Sequence, residues 1–230
     1  MFAQTRSKVV EASVKNCKEA AKGMRKITKT VLMIGSASFL LVQNSIAAPL
    51  FVSVFNLKPN PKFGPCAQMS STVPLVGKAT VAEGTLNDTL TLRLANFKPS
   101  LGFDLFTIQN TDLNPDGTLN AKFKNFGLAW YQTDVETDVN GEAFVDIHTI
   151  LVNQIFGFDP AVSLPPTNTF HVGIWFNNPA DASACGFTGT TPFNGEHNAG
   201  PNAMITVPNA TTGLGPLCLN PSATPGVCNP

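Results

Sequence analysis

The sequence predicts an all-β protein, an antiparallel, Greek-key-like β-sandwich of about seven to eight strands, stapled by disulfides and preceded by an N-terminal signal segment. Three observations predict it. Polar and apolar residues alternate with a period of two from Leu50 onward, Gly, Pro and Asn separate the alternating segments, and no helical stripe follows the leader. We expect residues 48–215 to form one domain, because a chain of this length can bury a single core.

The first 47 residues have the three parts of a secretory signal. Met24–Lys29 is basic, Thr30–Val42 carries no charge, and Ser45-Ile46-Ala47 places small residues where a signal peptidase recognises them. We therefore expect residues 1–47 to be a signal peptide, and the true start of translation is alternatively Met24. A second alternative is one uncleaved membrane span over Thr30–Leu57, although polar residues interrupt it.

Charge and export together limit the partners. After residue 47 the chain has seven basic and thirteen acidic residues, so its net charge is near −6. An acidic surface repels phosphate backbones and anionic headgroups, so we expect no nucleic acid partner and no membrane contact after signal cleavage. The expected location is secreted or extracellular, with the periplasm or the cell surface as alternatives.

Cysteine usage agrees with export. Four cysteines follow the leader, and an even number in an exported chain predicts two disulfides with three possible connectivities. We favour Cys66–Cys185, which would join the first long loop to a late one. The second pair would be Cys218–Cys228. This bond would hold the Pro-rich C-terminal tail, residues 216–230, against the domain.

Seven segments alternate as half-buried strands do. Asp138–Glu142 predicts a hairpin between two of them, because Asn140-Gly141 supplies the positive φ that tight turns need. The predicted strands are Ala79–Glu83, Asp88–Leu94, Phe103–Gln109, Phe126–Gln132, Glu142–Leu151, Thr169–Phe176 and Ala203–Val207.

Alternation within Thr169–Phe176 also predicts a binding surface. If its phenylalanine and aliphatic residues point inward, His171 and Trp175 point outward on either side of Gly173. An exposed indole beside an imidazole could stack a sugar or an apolar peptide side chain. The alternative is a strand buried on both sides, covered by a loop such as residues 187–201.

Three histidines follow the leader, and they predict a transition-metal site. If the strands of His148 and His171 are neighbours, the two imidazoles approach each other, and Asp146 or His197 can supply a third ligand. Imidazole and carboxylate ligands suit zinc or copper, and a metal-bound water would be the reactive group. The alternative is that each histidine is separately hydrogen-bonded on a sheet face or in a loop.

The loop from Asp112 to Asn120 predicts a calcium site. Asp112, Asn114, Asp116 and Asn120 have the spacing of calcium ligands, and a glycine stands where such a loop turns sharply. Phe123 replaces the closing bidentate glutamate, so any affinity would be weak. Ca²⁺ is the one cofactor that the pattern indicates. The alternative is a polar Asx-type turn, which uses the same residue types.

The sequence lacks the motifs of nucleophilic and thiol chemistry. It contains neither Gly-x-Ser-x-Gly nor Cys-x-x-Cys. We therefore expect a non-catalytic binding or structural module of the cell envelope or extracellular matrix, with a sugar or a protein as its ligand. The alternative is a secreted copper- or zinc-dependent enzyme that uses His148, His171 and Asp146.

Overall fold

A computed structural model describes residues 51–85, 87–150, 157–159, 164–167, 169–189 and 197–218. These residues belong to a compact unit that spans Ala47–Pro230. The predicted signal peptide, Cys228 and most of the Pro-rich tail lie outside the described residues. Within the described ranges, no helix has the length and apolar character that crossing a membrane requires.

The described residues form eleven strands and two short helices. Helix α1 (Gly64–Ala67) lies between the first two strands, and a 3₁₀ helix (Pro179–Cys185) follows the ninth. The strands are β1 (Val52–Pro59), β2 (Val76–Ala82), β3 (Asp88–Ala95), β4 (Gly102–Ile108), β5 (Ala129–Glu136), β6 (Ala143–Ile150), β7 (Gly157–Asp159), β8 (Leu164–Thr167), β9 (Thr169–Phe176), β10 (Asn202–Ile205) and β11 (Leu217–Cys218).

Eight of these strands make one antiparallel sheet in the order β5-β4-β9-β10-β1-β2-β3-β6. Strand β11 pairs with the start of β9, and β7 with β8 forms a separate two-stranded sheet. The two edges of the large sheet, β5 and β6, approach each other, so the sheet nearly closes on itself. The prediction of an antiparallel, β-rich domain is therefore confirmed.

Strand β1 joins the two halves of this sheet, which are β5-β4-β9-β10 on one side of it and β2-β3-β6 on the other. Its first part, Val52–Leu57, pairs with β2, whereas Lys58 and Pro59 pair with β10. Val52–Leu57 would have belonged to the alternative membrane span. They form part of a strand instead, and their side chains are alternately exposed and buried. The core lies on the inner face of both halves, and its largest fully buried side chains include Phe97, Phe103, Phe170, Phe176, Leu90, Leu92, Leu105 and Ile174.

A disulfide joins the two short helices. Cys66 in α1 is bonded to Cys185 at the end of the 3₁₀ helix, with their Cα atoms 6.0 Å apart. The first predicted disulfide is therefore confirmed. Cys218 lies in β11, but its predicted partner Cys228 lies outside the described residues, so the second disulfide stays a prediction.

The turn at Asn140-Gly141 is present, but the predicted hairpin is wrong, because the strands on either side of it, β5 and β6, pair with other strands. The Asp138 N–H donates to the carbonyl of Glu142 over 2.8 Å, and Gly141 has a φ of +73°. Strand β5 pairs with β4 and β6 pairs with β3, so the turn crosses from one edge of the large sheet to the other. The turn thus brings the two edges together.

Gly141→Ala should lower the free energy of unfolding by about 2 kcal/mol, since a Cβ there adds left-handed strain and collides with the Phe97 carbonyl oxygen. Gly213→Ala is the matched control, because Gly213 has a φ of +70° with nothing within 4 Å of an added Cβ. The control should cost about 1 kcal/mol, from strain alone. Urea denaturation measures the free energy of unfolding of both variants. Equal losses of stability would contradict the predicted collision with the Phe97 carbonyl oxygen.

Candidate ligand-binding site

The structure places the three histidines with different partners. On β6, exposed His148 lies with its Nε2 3.3 Å from Oδ2 of Asp146. His197 Nε2 lies 3.5 Å from Oδ2 of Asp104, which is fully buried. His171 contacts neither carboxylate in these pairs. Across the described ranges, no three His, Cys, Asp or Glu side chains come together as a metal would require.

The outward side of β9 is buried. Trp175 is only 4 % exposed, and its ring packs edge-to-face on Phe106 at 5.3 Å and on Phe126 at 5.1 Å between centroids. Phe126 belongs to the 109–128 loop, which crosses this face of the sheet. The prediction of an exposed stacking surface at Trp175 and His171 is therefore wrong. Trp175 lies outside the main core cluster, as predicted, but Phe126 of this loop packs over it, and His171 is buried as well.

Burial also sets the protonation state of His171. Its Nδ1 lies 2.9 Å from Oγ1 and 3.1 Å from the carbonyl oxygen of Thr206. Burial disfavours the charged imidazolium and lowers the pKa of His171 to about 4, although the hydrogen bond to the Thr206 backbone opposes this shift. At neutral pH the ring is therefore an uncharged hydrogen-bonding group.

Three of the predicted calcium ligands are engaged in hydrogen bonds of their own loop. Asp116 Oδ1 accepts from the N–H of Thr118 at 2.9 Å and from its hydroxyl at 2.6 Å. Asn114 Nδ2 donates to the same hydroxyl at 3.0 Å, and Asn120 Oδ1 accepts from the N–H of Lys122 at 2.9 Å. The bonds that Asp116 and Asn120 accept from backbone N–H groups two residues on are those of Asx-type turns. Calcium binding stays a prediction, which a calcium titration of the melting temperature tests.

Asp112, the fourth predicted calcium ligand, joins this loop to the sheet. Its Oδ2 accepts from Asn60 Nδ2 at 2.9 Å, and its Oδ1 accepts from Asn202 Nδ2 at 3.0 Å. Asn60 also donates to Asn202 Oδ1 at 2.8 Å, and both amides are buried. Partial burial raises the pKa of Asp112, while the hydrogen bonds from the two amides oppose the rise.

Asp112→Ala should lower the free energy of unfolding by about 1–3 kcal/mol, because it leaves two buried amide donors without their acceptor. Asp116→Ala removes exposed hydrogen bonds from the same loop and should cost less than Asp112→Ala does. Chemical denaturation of the two variants in parallel makes the comparison. A larger loss for Asp116→Ala would contradict a structural role for Asp112.

A cleft of about 580 Å³ opens beside the outer face of the β4–β9 pair. One wall belongs to the 109–128 loop, the other to the 208–215 turn, and β9 contributes Thr169 and His171. We call it the amide cleft, because four of its lining residues carry side-chain amides. These residues are Gln109, Asn110, Asn120 and Asn125.

Three of the amides use one end in a hydrogen bond within their own loop. Asn110 Nδ2 donates to the carbonyl of Asn125 at 3.3 Å, Asn125 Oδ1 accepts from the N–H of Gly127 at 3.0 Å, and Asn120 Oδ1 accepts from Lys122. Within the part of the chain that the structure describes, the opposite ends of these amides make no side-chain hydrogen bond. Two NH₂ groups and one carbonyl oxygen therefore remain for recognition.

Two cations and an aromatic ring also belong to the described lining. Lys122, Phe123 and Lys124 all line the cleft, and the Phe123 ring lies 4.7 Å from the Phe126 ring between centroids. No acidic side chain is among the described lining residues, and no described carboxylate forms an ion pair with either lysine. The described lining of the amide cleft is thus locally positive, although the residues after position 47 have a net charge near −6.

Sequence reasoning missed most of these residues. The amides lie in a loop, where Asn is common for turn formation, and only its density between residues 110 and 125 marked the segment. Asp104 was also missed, although a single acid inside the apolar run Phe103–Ile108 was a signal. Its buried carboxylate accepts from Asn177 Nδ2 at 3.0 Å and lies beside His197.

Comparison of the sequence with protein-family models and with curated proteins finds no match. The chemistry of the amide cleft is therefore the basis on which a function can be argued.

Proposed function

We propose that the protein is a secreted, non-catalytic binding module of the cell envelope or extracellular matrix, and that the amide cleft holds a hydroxyl-rich ligand, a glycan. The observation that supports this proposal is that Asn110, Asn120 and Asn125 each use one end of the amide in a hydrogen bond within the loop. The other end of each amide is left for a ligand. An amide offers both a donor and an acceptor, as a sugar hydroxyl does, so the two groups match.

The other lining residues support a sugar. Phe123 adds an apolar surface against which the C–H face of a sugar ring can pack. A binding site of this kind combines a few fixed polar groups with apolar surface. The partner class is therefore a glycan rather than a nucleic acid.

The same lining supports recognition rather than chemistry. Glycoside hydrolysis needs two carboxyl groups across the bound sugar, and acyl transfer needs a nucleophile beside a base. The described residues that line the amide cleft include no Asp, Glu, Ser or Cys. His171, the titratable side chain among them with a shifted pKa, is held neutral by burial.

Export is part of the proposal and rests on two features. The leader has the three parts of a secretory signal, and the Cys66–Cys185 bond is of the kind that persists in oxidising compartments. The scaffold is proposed to be a Greek-key-like sandwich. Its support is that β1 changes partner between the two halves of the sheet, which leaves the core between them.

A copper- or zinc-dependent enzyme is the alternative function. It draws support from the 3.3 Å contact between His148 and Asp146, whereas its third residue, His171, is buried and contacts Thr206. Elemental analysis of the purified protein tests this alternative. Stoichiometric copper or zinc would favour it over the binding module.

Isothermal titration against soluble neutral and acidic polysaccharides tests the binding module. Asn120→Asp and Asn125→Asp keep the oxygen that holds the loop but lose the NH₂ group, so each should weaken binding roughly two- to tenfold. Asn178→Asp is the control, since it makes the same charge change outside the cleft and keeps its bond to the Ala180 N–H. Failure of every polysaccharide to bind would refute the proposal.

A further inference from the structure

We infer that the ligand of the amide cleft is an acidic glycan, whose carboxylate or sulfate groups pair with Lys122 and Lys124. This inference rests on the proposed function, because it assigns the class of glycan to the same site. It is carried by the placement of charge around the cleft and by the anchoring of the segment that bears the two lysines.

Positive charge is scarce in the exported chain, yet it is concentrated here. Two of the seven basic residues after the leader line the amide cleft, whereas the thirteen acidic residues contribute nothing to its described lining. The residues after position 47 have a net charge near −6, so an anion that approaches most of the exported chain is repelled. At this cleft it meets a local positive field, which raises the local concentration of anionic ligands.

The two ammonium groups have no partner within the described part of the protein. Both lysines are exposed, and the described ion pairs involve neither. A lysine that is already paired would lose its partner on binding an anion. That loss would cancel much of the electrostatic free energy gained from the new ion pair. Here the full pairing energy is available to a ligand.

The segment that carries the lysines is anchored. Phe123, which stands between them, packs on Phe126, and Phe126 packs on buried Trp175. The backbone of Lys122 is further held by its bond to Asn120. Because the loop is ordered before the ligand arrives, less conformational entropy is lost on binding.

The remaining described lining is neutral. His171 is uncharged at neutral pH, so Lys122 and Lys124 are the cationic side chains of the described lining. The arrangement places uncharged hydrogen-bonding groups for hydroxyls beside two cations for anionic substituents. A neutral glycan would use only the first set, and an acidic glycan uses both.

Matched polymers test the inference. Polygalacturonate and its methyl-esterified form share one backbone and differ in carboxylate charge, and dextran sulfate and dextran form the equivalent pair for sulfate. We expect at least one acidic polymer to bind roughly tenfold more tightly than its neutral counterpart at low ionic strength, since each exposed ion pair contributes up to roughly fivefold. The difference should disappear in about 1 M NaCl, where the screening length is about 3 Å.

Charge variants locate the effect. Lys122→Gln with Lys124→Gln should abolish the preference for the acidic polymer and leave the melting temperature unchanged, because both side chains are exposed. Lys62→Gln with Lys98→Gln is the control, since it removes the same charge from exposed positions outside the cleft. The control should keep the full preference. An equal loss in both double variants would overturn the inference.

The outcomes separate this inference from the proposed function. Equal binding of acidic and neutral polymers, sensitive to Asn120→Asp, would overturn the inference and leave the proposed function intact. No binding of any polymer would overturn both. Binding of polyglutamate as tight as that of polygalacturonate would overturn the assignment to a glycan in favour of an acidic polypeptide. A preference for polygalacturonate identifies carboxylate and a preference for dextran sulfate identifies sulfate, and either supports the inference.

Discussion

Replacing Cys66 and Cys185 together with alanine should lower the free energy of unfolding by about 4–5 kcal/mol. The two cysteines are 119 residues apart, and the bond restricts the unfolded chain over that whole length. In the chain-entropy model a loop of about this size corresponds to roughly 5 kcal/mol at 25 °C, near the top of the usual range for native disulfides. The effect is large because the bond links an early helix to a late one.

Urea unfolding of the double variant and of the wild type measures this loss. Reductant should lower the stability of the wild type towards that of the double variant. Any loss of stability that reductant causes in the double variant would be evidence for the predicted Cys218–Cys228 bond. A change below about 1 kcal/mol for the double variant would contradict a stabilising role for Cys66–Cys185.

Lowering the pH from 7 to about 4.5 should destabilise the wild type by about 2–3 kcal/mol more than a His171→Gln variant. The pKa of His171 is lowered to about 4 by burial, against 6.5 for the free side chain. Below pH 6.5 the unfolded chain takes up a proton that the folded protein does not. Stability is therefore fully present above pH 6.5 and is lost progressively as the pH falls towards 4.

Urea denaturation at the two pH values, for wild type and variants, isolates this contribution from other titrating groups. His148→Gln is the control, because it makes the same substitution at an exposed position. A His171→Gln variant whose stability falls with pH as steeply as that of the wild type would show that His171 does not cause the acid sensitivity.

The sequence was most informative where the signal is local. Strand β9 was predicted with its observed bounds, and β3 differs by one residue, because alternation reports directly which side chains meet the core. The Cys66–Cys185 bond followed from the cysteine count and the positions of loops. Strand β5 begins three residues later than predicted, because Phe126 belongs to the loop that covers Trp175.

The site depends on contacts that local patterns do not contain. Alternation indicates that Trp175 points outward, but it cannot show that Phe106 and Phe126 pack over the indole. The calcium pattern around Asp112 uses the residue types of a structural turn. The structural role of Asp112 becomes visible only in its contacts with Asn60 and Asn202, which are far apart in the chain and meet in the fold.

The divided pairing of β1 has a consequence for the order of assembly. Val52–Leu57 can form a ladder with β2 soon after synthesis, but Lys58 and Pro59 must wait for β10, which ends at Ile205. Contacts between such distant parts of a chain form slowly, because a long loop has to close first. The pairing of β1 therefore cannot be completed until most of the polypeptide has left the ribosome.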